Sequence, residues 1–166
     1  TGTPGTGKTT LAEIVAEKTG LKHFNVGEFV KAHGCHEGYD EEFDTYILDE
    51  DKLLDMMEEI VGSEGGYVVD YHTCDLFPER WIDLVLVLQS DTQVLFDRLT
   101  ERGYNEKKIQ ENMQCEIMMV VGESAAESYA EEIVHRVPSN TTDDVDASAA
   151  RVVAWHDQWT KDNAQK

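Results

Sequence analysis

The sequence predicts an α/β domain in which helices cover a parallel sheet, and three observations carry that expectation. Short apolar runs such as Tyr67-Val68-Val69 and Leu84–Leu88 alternate with longer stretches of helical spacing, the pattern of strands joined by helical crossovers. The opening residues Gly2-Thr3-Pro4-Gly5-Thr6-Gly7-Lys8-Thr9 form a complete G-x-x-x-x-G-K-[ST] phosphate loop directly before a helix-forming run. A chain of 166 residues, 40% hydrophobic and 29% charged, suits one compact domain.

Behind the loop, Lys8–Thr19 carries Leu11, Ile14 and Val15 at helical steps, with Gly20 as a stop. Lys22–Val26 reads as a short strand and Gly27–Ala32 as a short helix. The acidic, aromatic stretch Glu37–Asp51 has no clear period and reads largely as loop. Lys52–Val61 puts Leu53, Leu54, Met57, Ile60 and Val61 on one helical face, and Gly65-Gly66 ends it. Tyr67–Tyr71 is a buried strand, and Leu84–Leu88 is another. Thr92–Arg102 is a helix behind a Ser/Asp/Thr cap, closed by Gly103. Ile109, Met113, Ile117 and Val120 predict one long helix from Asn105 to about Ala130. Ile133–Val137 is the last strand, stopped by Pro138, and the helix from about Thr142 carries Val152, Val153, Trp155 and Trp159 on one face. A phosphate loop leaves a buried strand, so roughly five to ten apolar residues forming a central strand are expected ahead of Thr1.

Thirty-four acidic against 14 basic side chains give a formal net charge of −20. Direct grip on nucleic acid needs clustered Lys and Arg, so a role near RNA would run through a basic protein partner; alternatively the charge serves solubility and a monomeric state. Cys35, Cys74 and Cys115 are odd in number, widely spaced and in no C-x-x-C pair, which argues for reduced thiols in a cytosolic or nuclear setting. The histidines do not join them at zinc spacing, so no structural metal is expected. No apolar run of membrane-spanning length and no signal-peptide pattern appears, so no membrane association is expected.

The loop's residue types follow from its chemistry. Phosphate oxygens must approach main-chain N–H groups closely, which requires residues without Cβ at Gly2, Gly5 and Gly7. Lys8 supplies a mobile charge to β- and γ-phosphates, Thr9 offers a hydroxyl to Mg²⁺, and the helix adds its positive end. ATP with Mg²⁺ is the expected ligand pair. Such sites also need an acidic residue at a strand end, and Asp70 is the candidate; the alternative is that it caps the following loop. His72, two residues on, either positions a water or phosphate or is a packed histidine.

Val69-Asp70-Tyr71-His72, Phe77-Pro78-Glu79-Arg80-Trp81 and Arg102-Gly103-Tyr104-Asn105-Glu106-Lys107-Lys108 closely resemble the adenylate kinase isoenzyme 6 family, also called the coilin-interacting nuclear ATPase. Gly38-Tyr39-Asp40-Glu41-Glu42, Ile47-Leu48-Asp49-Glu50-Asp51, Gln114-Cys115-Glu116-Ile117, Glu131-Glu132-Ile133-Val134-His135 and Pro138-Ser139-Asn140 extend the resemblance over nearly the whole chain. It implies a P-loop nucleoside monophosphate kinase fold: three layers around a five-stranded parallel sheet, an AMP-side lobe at about 25–48 and a short lid at about 101–110. By matching position, Gly5, Gly7, Lys8, Thr9 and Thr10 would bind ATP phosphates. Asp70 and His72 would form the acidic-strand motif, and Arg102 would be the lid arginine on ATP.

Arg98 and Arg102 stand four apart on one helical face; Arg102 reads as a phosphate contact and Arg98 as stacking near the adenine, against the alternative of a solvated helix end. Ile109–Ile117 contains no arginine, unlike the helix after the lid in long-lid adenylate kinases. Lys31 stands where adenylate kinases usually place an arginine for the AMP phosphate, and lysine lacks the two-pronged fork. Both departures predict modest phosphotransfer to AMP with slow ATP hydrolysis beside it, His72 or Asp70 orienting the water. A competing expectation is an ATP-switched assembly factor: about eight carboxylates in Glu37–Asp51 suit a basic docking partner. The resemblance makes that partner a small-subunit ribosomal protein, the setting small-subunit (18S rRNA) maturation, and the location nuclear and cytoplasmic. A P-loop kinase for another small metabolite would share only Gly2–Thr9 with this sequence.

Overall fold

The computed structural model describes residues 1–164. Helix α1 (Lys8–Thr19) leads to strand β1 (Lys22–Asn25), helix α2 (Val26–His33), strands β2 (His36–Asp40) and β3 (Thr45–Leu48), and helix α3 (Glu50–Met57) with a π-helical turn at Glu58–Gly62. Strand β4 (Tyr67–Asp70), a 3₁₀ turn at Glu79–Trp81, strand β5 (Val85–Gln89) and helices α4 (Thr92–Glu101), α5 (Glu106–Ile117) and α6 (Val120–Ser128) follow. A second 3₁₀ turn, Glu131–Ile133, precedes strand β6 (Val134–Pro138) and helix α7 (Thr142–Asn163).

Local chemistry sets several of these ends. Gly20 takes a left-handed φ of 77° and returns its N–H to the Ala16 carbonyl, which stops α1 where the sequence places the stop. Asn25 and Asp49 accept the Glu28 and Lys52 N–H groups at the starts of α2 and α3. Thr141 and Asp144 close a reciprocal capping box on α7.

β1 pairs in parallel with β4, Asn25 opposite Asp70, and β5 pairs in parallel with β6. Alternate β5 residues face opposite layers. Val85 and Val87 join Val26, Leu53, Met57 and Ala125, whereas Leu86 and Leu88 meet Leu11, Val15 and Ala149. Helices therefore cover both faces, the predicted α/β arrangement. Burying each such aliphatic side chain contributes about 1.5–3 kcal/mol, so both layers stabilise the sheet.

Among the described residues the parallel strands form two hydrogen-bonded pairs, β1 with β4 and β5 with β6. An apolar slot of about 270 Å³ lies between β4 and β5, floored by Leu11 and Val15, and Thr1 pairs with Leu86 and Leu88 at its end. Three expectations change. The stretch read as loop contains the antiparallel hairpin β2–β3, with Tyr39 opposite Tyr46 and its turn made by Asp44 in the left-handed region. Cross-strand aromatic packing holds the hairpin, a signal that its acidic residues mask in a periodicity reading. The single long helix is two: Met119 has a φ of 55° and turns the chain between α5 and α6. Helical spacing runs on through the break, so periodicity alone does not reveal it. Pro138 ends β6 from inside the strand, and Ser139 gives its N–H to the Gln89 carbonyl just beyond.

Candidate nucleotide site

The glycine-rich turn joins β5 to α1 by close contact. A Cβ on Gly2 would lie 2.6 Å from Thr6 Oγ1 and 2.8 Å from the Leu88 carbonyl, so no side chain fits there. Gly7 caps α1 with a φ of 90° and without a side-chain acceptor. The first N–H groups of α1 are thus left for an anion, at the helix's positive end. Lys8 reaches back across the loop, donating to the carbonyls of Gly2 at 2.9 Å and Thr3 at 3.2 Å. Burial pushes its pKa down to about 8, with Asp70 opposing, Arg102 adding to the shift and Glu116 opposing.

Thr9 and Asp70, both expected at the cation, meet: Thr9 Oγ1 donates to Asp70 Oδ2 at 2.6 Å. The Asp70 side chain is only 4% exposed, and the same Oδ2 receives His23 Nε2 at 3.2 Å and Asn25 Nδ2 at 3.3 Å. Neither residue stands out in the sequence as part of a site. The signal was present in His23-Phe24-Asn25, a polar-apolar-polar alternation on a strand whose Phe24 is buried in the core. Hydroxyl and carboxylate are hard oxygen donors that suit Mg²⁺. Among the described residues no cluster of three or more His, Cys, Asp or Glu could hold a metal, so a cation here would draw further ligands from phosphate and water.

His72 is exposed. Desolvation by the surrounding protein, followed by the Lys8 charge, pushes its pKa down to about 4, with Asp75 opposing. Its imidazole is therefore neutral at pH 7 and able to accept a hydrogen bond.

Beside the loop, Gly5, Gly7, Thr10, Arg98, Arg102 and Asn140 line a cavity of about 690 Å³. Arg98 ties its walls together: Nη1 donates to the carbonyls of Ser139 at 2.8 Å and Gly5 at 3.3 Å, and Nη2 to that of Asn140 at 3.1 Å. Ser90, also bonded to Arg98, joins the Ser139 carbonyl, and Ser139 Oγ donates to the Thr6 carbonyl. Nothing in the sequence spacing of Ser90 and Ser139 announces this network. Arg102, at the end of α4, is exposed and makes no side-chain hydrogen bond or ion pair among the described residues. Lys31 is exposed on α2 and lines neither this cavity nor the slot, so the structure does not bring it to the loop.

The start of α5 touches the hairpin. Lys108 Nζ donates to the Asp44 carbonyl at 2.8 Å, Asn105 Nδ2 to that of Glu42 at 3.4 Å, and Lys107 pairs with the Glu42 carboxylate.

A family model described as an AAA domain matches residues 1–119, the segment from the loop through α5. The chain is 46% identical over 163 residues to an adenylate kinase isoenzyme 6 homolog of Dictyostelium discoideum, covering 98% of this chain and 93% of that protein. It is 50% identical over 153 residues to the homolog of Caenorhabditis elegans, covering 92% and 84%. The chain belongs to the adenylate kinase isoenzyme 6 family. The crystal structure of shikimate kinase from Bacteroides thetaiotaomicron shares the fold with a TM-score of 0.57 at 16% identity, over 91% of this chain and 92% of that one. Membership of the adenylate kinase isoenzyme 6 family makes the chain a P-loop kinase, with ATP implied as its phosphate donor.

Proposed function

We propose that this chain transfers the γ-phosphoryl group of ATP to AMP, giving two ADP, and hydrolyses ATP slowly beside that reaction. The observation that carries this reading is the meeting of Thr9 and Asp70 beside Lys8, at the uncapped start of α1. The N–H groups around Gly5, Gly7, Thr9 and Thr10 receive phosphate oxygens, and Lys8 exchanges its two loop carbonyls for β- and γ-oxygens. Bound Mg²⁺ would neutralise those phosphates, held by the Thr9 hydroxyl and, through water, by Asp70. An AMP phosphate oxygen forms the new bond to Pγ while the bond from Pγ to the bridging oxygen breaks, leaving ADP on the loop.

Arg102 bends onto the transferring group from the rim of the cavity, and Arg98 holds the cavity that takes the adenosine. His72, neutral and near Lys8, orients a water when no AMP is bound. The AMP-side lobe is residues 25–48, with Lys31 as its phosphate contact after movement of α2, and the lid is residues 101–110. The single-pronged Lys31 keeps the AMP reaction modest. Incubating the purified protein with ATP, with and without AMP, tests this: ADP should form in both and faster with AMP. Equal rates would remove the kinase reading, and no ADP in either would remove both.

The β2–β3 hairpin favours a second reading. Its Tyr39, Tyr46 and Ile47 are exposed beside Glu37, Asp40, Glu41, Glu42 and Asp44, an aromatic and acidic surface suited to a basic protein. On this reading a monomer in nucleus and cytoplasm uses ATP to switch its hold on a basic small-subunit ribosomal protein during 18S rRNA maturation. Capture of basic ribosomal proteins should change with nucleotide for the native chain and not for Lys8→Ala; capture of none would end the reading.

A further inference from the structure

Asp70 is held from three directions through one oxygen. Thr9 from α1 and His23 and Asn25 from β1 all meet Oδ2, and Oδ1 has no hydrogen-bond partner among the described residues. The parallel register produces this: Asn25 stands opposite Asp70, and His23, two residues earlier, presents its side chain on the same face. The His23 side chain is 21% exposed, so its ring is fixed mainly by protein. Asn25 uses both ends of its amide, Oδ1 accepting the Glu28 N–H at the start of α2 while Nδ2 donates to Asp70.

We propose that His23 and Asn25 are positioning residues for the cation, fixing the Asp70 carboxylate so that its unpartnered oxygen is kept for the magnesium shell. This rests on the reading of Asp70 as the magnesium carboxylate. A buried carboxylate bonded by Thr9 alone could rotate and present either oxygen. With two further donors on Oδ2, rotation breaks three bonds at once. Donors that orient a metal-binding carboxylate are typically worth 10–100-fold in metal affinity or activity. Because Asn25 also caps α2, the carboxylate's orientation is tied to the helix that opens the proposed AMP-side lobe.

The test is cation binding rather than turnover. ATP affinity is measured by calorimetry with Mg²⁺ and with EDTA, and Mn²⁺ affinity for the protein–ATP complex by electron paramagnetic resonance. His23→Phe keeps an aromatic ring without the donor, and His23→Gln returns an N–H. His23→Phe should weaken Mn²⁺ binding about 10-fold and leave ATP affinity in EDTA unchanged. His23→Gln should restore Mn²⁺ binding toward the native value, and Asn25→Ser, which still caps α2 but is too short to reach Asp70, should repeat the loss. The proposal is overturned if His23→Phe binds Mn²⁺ as the native protein does. It also falls if His23→Gln fails as badly as His23→Phe, or if affinity in EDTA drops equally. A native protein whose ATP affinity ignores Mg²⁺ would instead bring down the reading of Asp70 itself.

Discussion

Thr9 Oγ1 donates to Asp70 Oδ2 across 2.6 Å, although 61 positions separate the two residues in the chain. The bond places a strand-end carboxylate on the first turn of the phosphate-binding helix. Asp70→Asn keeps the shape and removes the charge. Phosphotransfer should fall by about 10- to 100-fold and need more Mg²⁺, while the melting temperature holds or rises because a buried anion is gone. A loss of activity matched by a collapse in melting temperature would mark Asp70 as structural.

Lys8 should make nucleotide binding take up protons at alkaline pH. With its pKa pushed down to about 8, roughly half of the free protein carries a neutral Lys8 amine near pH 8. Phosphate raises that pKa again, so ATP binding near pH 8 draws a proton from solvent, and binding at pH 6.5 draws none. Affinity should therefore weaken as pH rises above about 8. Calorimetry at pH 8 in buffers of different ionisation enthalpy should give different apparent heats, and identical heats would contradict the assignment.

The two arginines of α4 should separate cleanly. Arg98→Ala strips donors from the carbonyls of Gly5, Ser139 and Asn140, and should destabilise the fold by about 1–3 kcal/mol while loosening the cavity. Arg102→Ala removes a side chain without a hydrogen-bonded partner among the described residues, so stability should hold. Its turnover should drop by about 10³-fold, the low end for an arginine on a phosphoryl transition state. Denaturant melts and single-turnover rates on both variants decide this, and an active Arg102→Ala would exclude it from the chemistry.

The contacts from Asn105, Lys107 and Lys108 to the hairpin turn are exposed, so each is worth about 0–1 kcal/mol. A Lys107→Glu, Lys108→Ala double variant should speed amide hydrogen exchange at residues 41–46 and leave β5 protected. High salt should reproduce part of the effect. Unchanged exchange in the hairpin would show that these contacts do not hold it.

Much of the nucleotide site was legible because its chemistry is local. Eight consecutive residues specify the loop, Gly20 marks the end of α1, and an aspartate closing an apolar run marks Asp70. What escaped depends on which segments become neighbours. His23 and Asn25 act on Asp70 only through the register between β1 and β4, which spacing within either strand does not reveal. Arg98 reads as a residue near the adenine, and its role in tying the cavity wall emerges only when Ser139 and Asn140 arrive from beyond β6. The hairpin hides because its cross-strand tyrosines sit among carboxylates, and the bend at Met119 because apolar spacing continues through it.

A methyl group at Gly2 would strike Thr6 and the Leu88 main chain, so that corner of the phosphate-binding turn is walled by the chain's own spine and one hydroxyl. Such a wall has almost no side chains to exchange. Retuning of affinity or speed must come from groups that lean on the turn from outside: Asp70 behind Thr9 and Arg102 at the rim. Variants that alter this protein's rate while sparing its fold should therefore gather at those outer positions, and substitutions within the glycines should yield no intermediate grades of function.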